Sequence, residues 1–235
     1  MIDSAQIQKY YEKYEKEKVD GAIKLLSYHK AVTLPKVNEN KKTNQSIIYI
    51  FRHGQSEDNK NFLFSGWRDS KLTENGRKQA KTLAEKLKDK KIDMLISSPQ
   101  IRAVETMKIA MSLNTTAKNL QIHTDERIKE RSYGDYQGKS KLEIQLENPD
   151  LLKTIRRSYT YVSPNGESLE TVVKRVNDFC NEIVPLVKKH KLNVAISCHG
   201  NSMRGFRKHF EKLTDEQTTE IENPLAQDYA SYLVQ

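Results

Sequence analysis

From residue 46 onward, short apolar runs alternate with stretches in which apolar positions recur every three or four residues. IIYIF (47–51) is a continuous apolar run of strand length, the pattern of a strand buried on both faces. From Thr73 to Lys90 the apolar positions Ala80, Leu83, Ala84 and Leu87 have helical spacing, and Thr73 is a natural N-cap. IDMLIS (92–97) predicts a second buried strand, and Ser98-Pro99 offers a cap and a first-turn proline for a helix around Arg102 to Met111. Another helix is predicted from near Ser168, with Val172, Val173, Val176, Phe179, Cys180 and Ile183 on its apolar side and Pro185 kinking or ending it. NVAIS (193–197) and SYLV (231–234) complete the strands. Strands alternating with helices predict a three-layer α/β/α sandwich with a mostly parallel sheet.

The first 45 residues read differently. Positions 5–31, rich in Tyr, Lys and Glu, predict one or two helices interrupted near Asp20-Gly21, and LPKVNENKKTNQ (34–45) has the composition of a linker. The expected organisation is an N-terminal helical extension with a polar linker, 1–45, and a catalytic domain, 46–235. The extension reads first as a surface helix packed on its own domain, with a docking or dimerisation arm as the alternative.

Composition narrows the setting. A chain of 235 residues can bury a core without metal or disulfide staples. There is no apolar run of membrane-spanning length, no apolar leader segment, and only two cysteines, far apart. These features predict a cytoplasmic protein with no membrane partner. The net charge of +9 favours an anionic partner. The basic residues are spread over mixed Lys/Glu faces such as KQAKTLAEKLKDKK, without interleaved aromatics. A small phosphate ester therefore fits better than nucleic acid. Short loops point to a monomer or homodimer.

Each predicted strand leads into chemistry. IIYIF runs into Arg52-His53-Gly54, IDMLIS into the helix carrying Arg102, and NVAIS into Cys198-His199-Gly200. In an open α/β sheet, ligands bind beyond the carboxyl ends of the strands, so two histidines and two arginines are expected to share a pocket. Arginine forks match phosphoryl oxygens bidentately, and neutral imidazole is a competent nucleophile near pH 7. The leaving oxygen needs a proton from a carboxylic acid, and composition alone nominates none. Two rival chemistries stand beside this one. CHGNSMR (198–204) has the Cys-x5-Arg spacing of cysteine-based phosphatases, and His53, His199 and Glu130 form a conceivable metal set, although compact zinc spacings are absent. His29, His123, His190 and His209 read as surface or structural.

At Phe51-Arg52-His53-Gly54 and Cys198-His199-Gly200-Asn201-Ser202 the sequence resembles the histidine phosphatase superfamily, and within it the cofactor-dependent phosphoglycerate mutases. The resemblance covers residue 47 to the C-terminus and implies a phosphoglycerate-mutase-like fold. It implies a phosphohistidine on His53, with Arg52, Arg102 and His199 around the phosphate. Glu130, opening Glu130-Arg131-Ser132-Tyr133-Gly134-Asp135-Tyr136-Gln137-Gly138, matches the family's general acid and base, where the residues alone allow a mere surface ion-pair partner. The implied substrate contacts are Ser56, Asn59, Ser65 and Gly66 (in Ser-Gly-Trp where the family has Thr-Gly-Trp), Tyr133, Lys141, Arg156, Arg157, Gly200 and Asn201. The implied phosphoryl donor is 2,3-bisphosphoglycerate, with no metal, and the implied reaction is interconversion of 3- and 2-phosphoglycerate.

Three departures weaken the mutase reading. Gln55 and Asp58 replace the usual Glu and Trp, SYTYVSPNGE (158–167) is much shorter than the insertion of long members, and the chain closes soon after SYLV, where the family carries a tail over the pocket. Easier access of water makes a phosphatase with the same catalytic residues the alternative. A catalytically silent binding module is disfavoured, because no core catalytic residue is missing.

Overall fold

The computed structural model describes residues 4–27, 32–37 and 46–234. Five strands form one sheet in the order β3-β2-β4-β1-β5. They are β1 (Ser46–Arg52), β2 (Met94–Ser97), β3 (Ile122–Thr124), β4 (Val194–Cys198) and β5 (Ala230–Val234). The pairs β3-β2, β2-β4 and β4-β1 are parallel, and β5 alone runs antiparallel, against β1.

Alternation along β1 builds the layers. Ile48 and Ile50 face one core with α8 (Leu169–His190) and α9 (Gly200–Glu211), while Tyr49 and Phe51 face the other with α4 (Glu74–Leu87) and α5 (Ile101–Met111). Burial on both faces is what makes these strands continuously apolar. The expected α/β/α sandwich is thus present. Register then sets up the site. Phe51 and Ser97 both lie opposite Ser197, and Arg52 lies opposite Cys198. The segments leaving β1, β2 and β4 therefore emerge side by side at the carboxyl edge.

Four local expectations are corrected. Residues 4–27 form two helices, α1 (Ser4–Lys13) and α2 (Lys16–Ser27), but the break falls at Tyr14-Glu15 and Gly21 lies inside α2. A helical glycine costs only about 1 kcal/mol, and the buried face of Val19, Ala22 and Leu26 outweighs it. Pro185 does not end α8, which continues to His190. The carbonyl it leaves unpaired belongs to exposed Asn181, where water can serve it. Ser98-Pro99 does not open α5, whose N-cap is Gln100, because the Ser98 hydroxyl pairs with His199 instead. Finally, part of the supposed linker is structural. Leu34 is buried in the core, and Ser231 of β5 donates its N–H to the Pro35 carbonyl at 2.9 Å, which covers the free edge of the sheet. Positions 28–31, including His29, and 38–45 lie outside the described residues.

A third apolar cluster stands apart from the sheet. It joins Val19, Ala22 and Leu26 of α2 to Leu142 and Leu146 of α6 (Lys141–Glu147), Leu152 and Ile155 of α7 (Pro149–Arg157), and Phe64. Two short helices complete the chain, α3 (Glu57–Lys60) and α10 (Asp215–Glu220). Among the described residues no helix is long and apolar enough to cross a membrane.

Candidate active site

A cleft opens at the carboxyl edge of the sheet. Its wall includes Arg52, His53, Asn59, Ser65, Gly66 and Arg102. Glu130, Tyr133, Lys141, Arg156, Arg157, Gly200 and Asn201 also reach it. Thirteen sequence-nominated residues therefore converge from segments spread over half the chain. Two nominated residues do not reach the wall. Ser56 is fully buried as the N-cap of α3, its hydroxyl accepting from Asn59 N–H. It shapes the turn that carries Asn59. His199 is fully buried beside His53, the ring centroids 5.0 Å apart.

His53 follows directly from β1, its N–H donating to the Cys198 carbonyl at 3.0 Å. The next residue has to be glycine. A Cβ on Gly54 would sit 2.3 Å from the Gly76 carbonyl oxygen, and one on Gly76 would sit 2.1 Å from that of Gln55. This backbone-to-backbone approach seats the loop after His53 on the start of α4. His53 Nδ1 pairs with the Gly54 carbonyl at 2.6 Å, which fixes the proton on Nδ1 and leaves Nε2 as a lone-pair nitrogen. Arg102 donates Nε–H to that Nε2 at 3.3 Å. Burial, then the charges of Arg102 and Arg52, push the His53 pKa well below its ordinary value. The ring is neutral at physiological pH, as a nucleophile must be.

Arg102 is fully buried, donating to the Arg68 carbonyl at 2.8 Å and to the Gly66 carbonyl at 2.9 Å. Burial lowers its pKa to about 10, so it remains a cation at neutral pH. Arg52 donates to the Asn223 carbonyl at 3.0 Å while its buried Nε lacks a partner. His199 holds Ser98 Oγ through Nε2 at 2.8 Å, and its Nδ1 is unpartnered. Its pKa is also driven well down, by burial and then by Arg102.

Glu130 is placed from behind by its own backbone. Its carbonyl accepts from Trp67 Nε1 at 2.8 Å and Arg175 at 2.9 Å, and its N–H donates to Gln100 at 2.9 Å. Oε1 accepts from Arg131 N–H at 2.8 Å and from the Asn201 side chain at 2.9 Å. A Cβ on Gly200 would lie 3.7 Å from Oε2 and 3.5 Å from the Arg52 guanidinium carbon, so Oε2 sits by Arg52 at the start of α9. Arg131, next in the motif, is structural. It is fully buried and donates to the Ile155, Tyr161 and Glu167 carbonyls.

The cleft wall carries further cations. Lys141 donates to the Leu63 carbonyl at 2.6 Å, and burial, then Arg156 and Arg52, lower its pKa to about 7. Arg156 has no hydrogen bond or ion pair among the described residues, and burial depresses its pKa. Arg157, its neighbour, donates to the Thr219 carbonyl at 3.0 Å and is ion-paired to Glu222. Four further wall residues, Arg204, Ile221, Glu222 and Asn223, are not among the substrate contacts expected from the sequence, Arg204 having entered only through the Cys-x5-Arg spacing. Arg204 was legible, since it stands one helical turn after Asn201 and meets its Oδ1 at 3.2 Å. Glu222 and Asn223 sit in an irregular segment without any pattern.

The cysteine-based chemistry finds little support. Cys198 is fully buried in β4 and absent from the cleft wall, and burial raises its thiol pKa to about 12. Among the described residues no group of three or more metal-ligating side chains gathers. His123 and His190 are exposed, and His209 pairs with Asn177 at 3.1 Å.

Comparison with known proteins identifies relatives of the chain. The chain is 38% identical over 177 residues to a 2,3-bisphosphoglycerate-dependent phosphoglycerate mutase of Cytophaga hutchinsonii, covering 75% of this chain and 82% of that one. It is 37% identical to a phosphoglycerate mutase of Schizosaccharomyces pombe, over 75% and 85% of the two chains. A mycobacterial glucosyl-3-phosphoglycerate phosphatase shares the fold with a TM-score of 0.70 at 23% identity, over 80% of this chain and 96% of that one. Residues 48–232 match the model of the histidine phosphatase superfamily (branch 1), and the chain belongs to that superfamily.

Proposed function

We propose that this enzyme interconverts 3- and 2-phosphoglycerate through a phosphohistidine on His53, with 2,3-bisphosphoglycerate as phosphoryl donor. The observation that carries the proposal is the number of cations gathered in one cleft. Arg52 and Arg102 act on His53, and Lys141, Arg156, Arg157 and Arg204 line the same wall. A substrate with more than one anionic group on a short carbon chain matches that concentration of cations.

In the donor step, Nε2 of His53 attacks phosphorus of the bisphosphate, the N–P bond forms, and the P–O bond to the glycerate breaks. Glu130 gives the leaving oxygen its proton. In the acceptor step, Glu130 takes the proton of the substrate hydroxyl as that oxygen attacks the phosphohistidine. Arg52 and Arg102 offset the charge on the equatorial oxygens. The Gly54 carbonyl stabilises the positive charge that the ring acquires. No metal enters these steps.

The deciding experiment supplies 3-phosphoglycerate with a trace of 2,3-bisphosphoglycerate and follows 2-phosphoglycerate and free phosphate together. Bisphosphate-dependent isomer formation with little free phosphate supports the mutase. Free phosphate without isomer replaces it with a phosphatase, in which water takes the place of the acceptor hydroxyl.

A further inference from the structure

Beside Arg157 in the cleft wall stands a carboxylate that the proposed reaction does not use. Glu222 lines the cleft and is ion-paired to Arg157. Burial works to raise its pKa, but the hydrogen bond from Arg157 and the charges of Arg157, Arg204 and Arg156 outweigh it and hold the group ionised. Its side chain is 33% exposed. Its backbone is pinned, because Arg207 donates to the Glu222 carbonyl at 3.3 Å and Asn223 donates to the Gly200 carbonyl at 3.2 Å. Of the two adjacent arginines, Arg156 is uncommitted among the described residues and Arg157 is held.

An incoming anionic group here has to share Arg157 with Glu222 or displace it. The repulsion grows with the charge brought in, so a dianionic phosphate is opposed more strongly than a monoanionic carboxylate. We propose that Glu222 is a specificity-determining residue, an internal counter-anion that occupies Arg157 and weakens the hold on bisphosphorylated ligands relative to monophosphorylated ones. This rests on the mutase reading for its natural ligands. There it serves turnover, since a bisphosphate intermediate has to leave its first pose before the second transfer, and a loosened hold permits that.

The test is calorimetric binding of inorganic phosphate, 3-phosphoglycerate and 2,3-bisphosphoglycerate to the full-length wild type, Glu222→Gln, Arg157→Ala and the double variant. In Glu222→Gln, 2,3-bisphosphoglycerate should tighten about tenfold and 3-phosphoglycerate about threefold, with inorganic phosphate unchanged. In the Arg157→Ala background the selective gain should disappear. Equal weakening of all three ligands would mean that Glu222 merely holds Arg157 in place, and that overturns the proposal. Unchanged affinities overturn it as well. The mutase reading fails separately: if wild type forms no isomer while the ranked gain appears, Glu222 keeps its role and only the reaction is reassigned.

Discussion

Arg102 and His53 face each other in the base of the cleft, Nε–H donating to Nε2 across 3.3 Å. The nitrogen nominated to attack phosphorus is thus the one that the guanidinium addresses, and a phosphoryl group on Nε2 would lie against the same arginine. Replacing Arg102 with Ala should lower kcat by about 10²–10³, the usual loss for one preorganised charge donor. Lysine should recover only part of it, lacking the fork. Rapid quenching with a labelled donor checks this directly. Wild type should trap an acid-labile phosphoenzyme and His53→Ala none, and label retained in the alanine variant would sink the assignment.

Lys141 should give the enzyme an alkaline limb. With its pKa lowered to about 7, the side chain is a cation below that pH and neutral above it. Binding of an anion needs the cation, so kcat/KM should fall as pH rises through about 7, by up to tenfold per unit. Because kcat/KM reports the free enzyme, bound anion does not obscure the pKa. Lys141→Arg, charged at every accessible pH, should flatten that limb. A limb of unchanged position in the arginine variant would assign it to another group.

The parts of this molecule that were legible in the sequence are those with a local cause. β1, β2 and β4 announce themselves because burial on both faces demands unbroken apolar runs, and α4 because Thr73 caps it and Leu83 and Leu87 repeat on one side. β3 was missed because only three residues pair, and two of them, His123 and Thr124, are exposed. α6 and α7 were missed because their apolar faces are answered by α2, more than a hundred residues earlier in the chain. In the site, the motif residues were readable, but the inequality of Arg156 and Arg157 was not. Adjacent helical positions point about 100° apart, and only the fold brings Glu222 to one of them.

Acid should unfold this protein through its two site histidines. Both are buried, and both have pKa values driven well below the unfolded value of about 6.5. As pH falls below about 6.5 the unfolded chain takes up the protons first. The stability is therefore whole above that pH and is lost on the way down toward the folded pKa values. Each histidine should steepen the decline by about 1.4 kcal/mol per pH unit. Urea unfolding at pH 7 and pH 5.5 measures it, and His53→Gln should show a shallower fall than wild type. Equal slopes would mean that His53 is not buried in its neutral form.

Gly54→Ala should damage stability and catalysis together. Its new methyl would collide with the Gly76 backbone, which cannot rotate away as a side chain can. Separating the two segments should cost about 1–3 kcal/mol, as overpacking commonly does, or more. The same movement shifts His53, the preceding residue, so kcat should fall more than KM rises. Thermal unfolding with steady-state kinetics checks both, and a stable, fully active variant would refute the close approach.

The N-terminal helices should matter to substrate affinity although they lie off the cleft. Val19 is fully buried against α6 and α7, and Tyr10 OH meets Ser140 Oγ at 2.8 Å. Ser140 caps α6 and directly precedes Lys141, so the extension braces the helix that presents a cleft cation. Val19→Ala should destabilise by about 1–3 kcal/mol from lost burial and the cavity left behind. Tyr10→Phe, which removes one hydrogen bond and little packing, should raise KM about two- to fivefold. In both variants kcat should hold, because His53 and Glu130 rest on β1 and on the Arg175 and Trp67 contacts instead. A fall in kcat with KM unchanged would place the brace on the reacting groups, and would require a route from α2 to His53 that the packing does not provide.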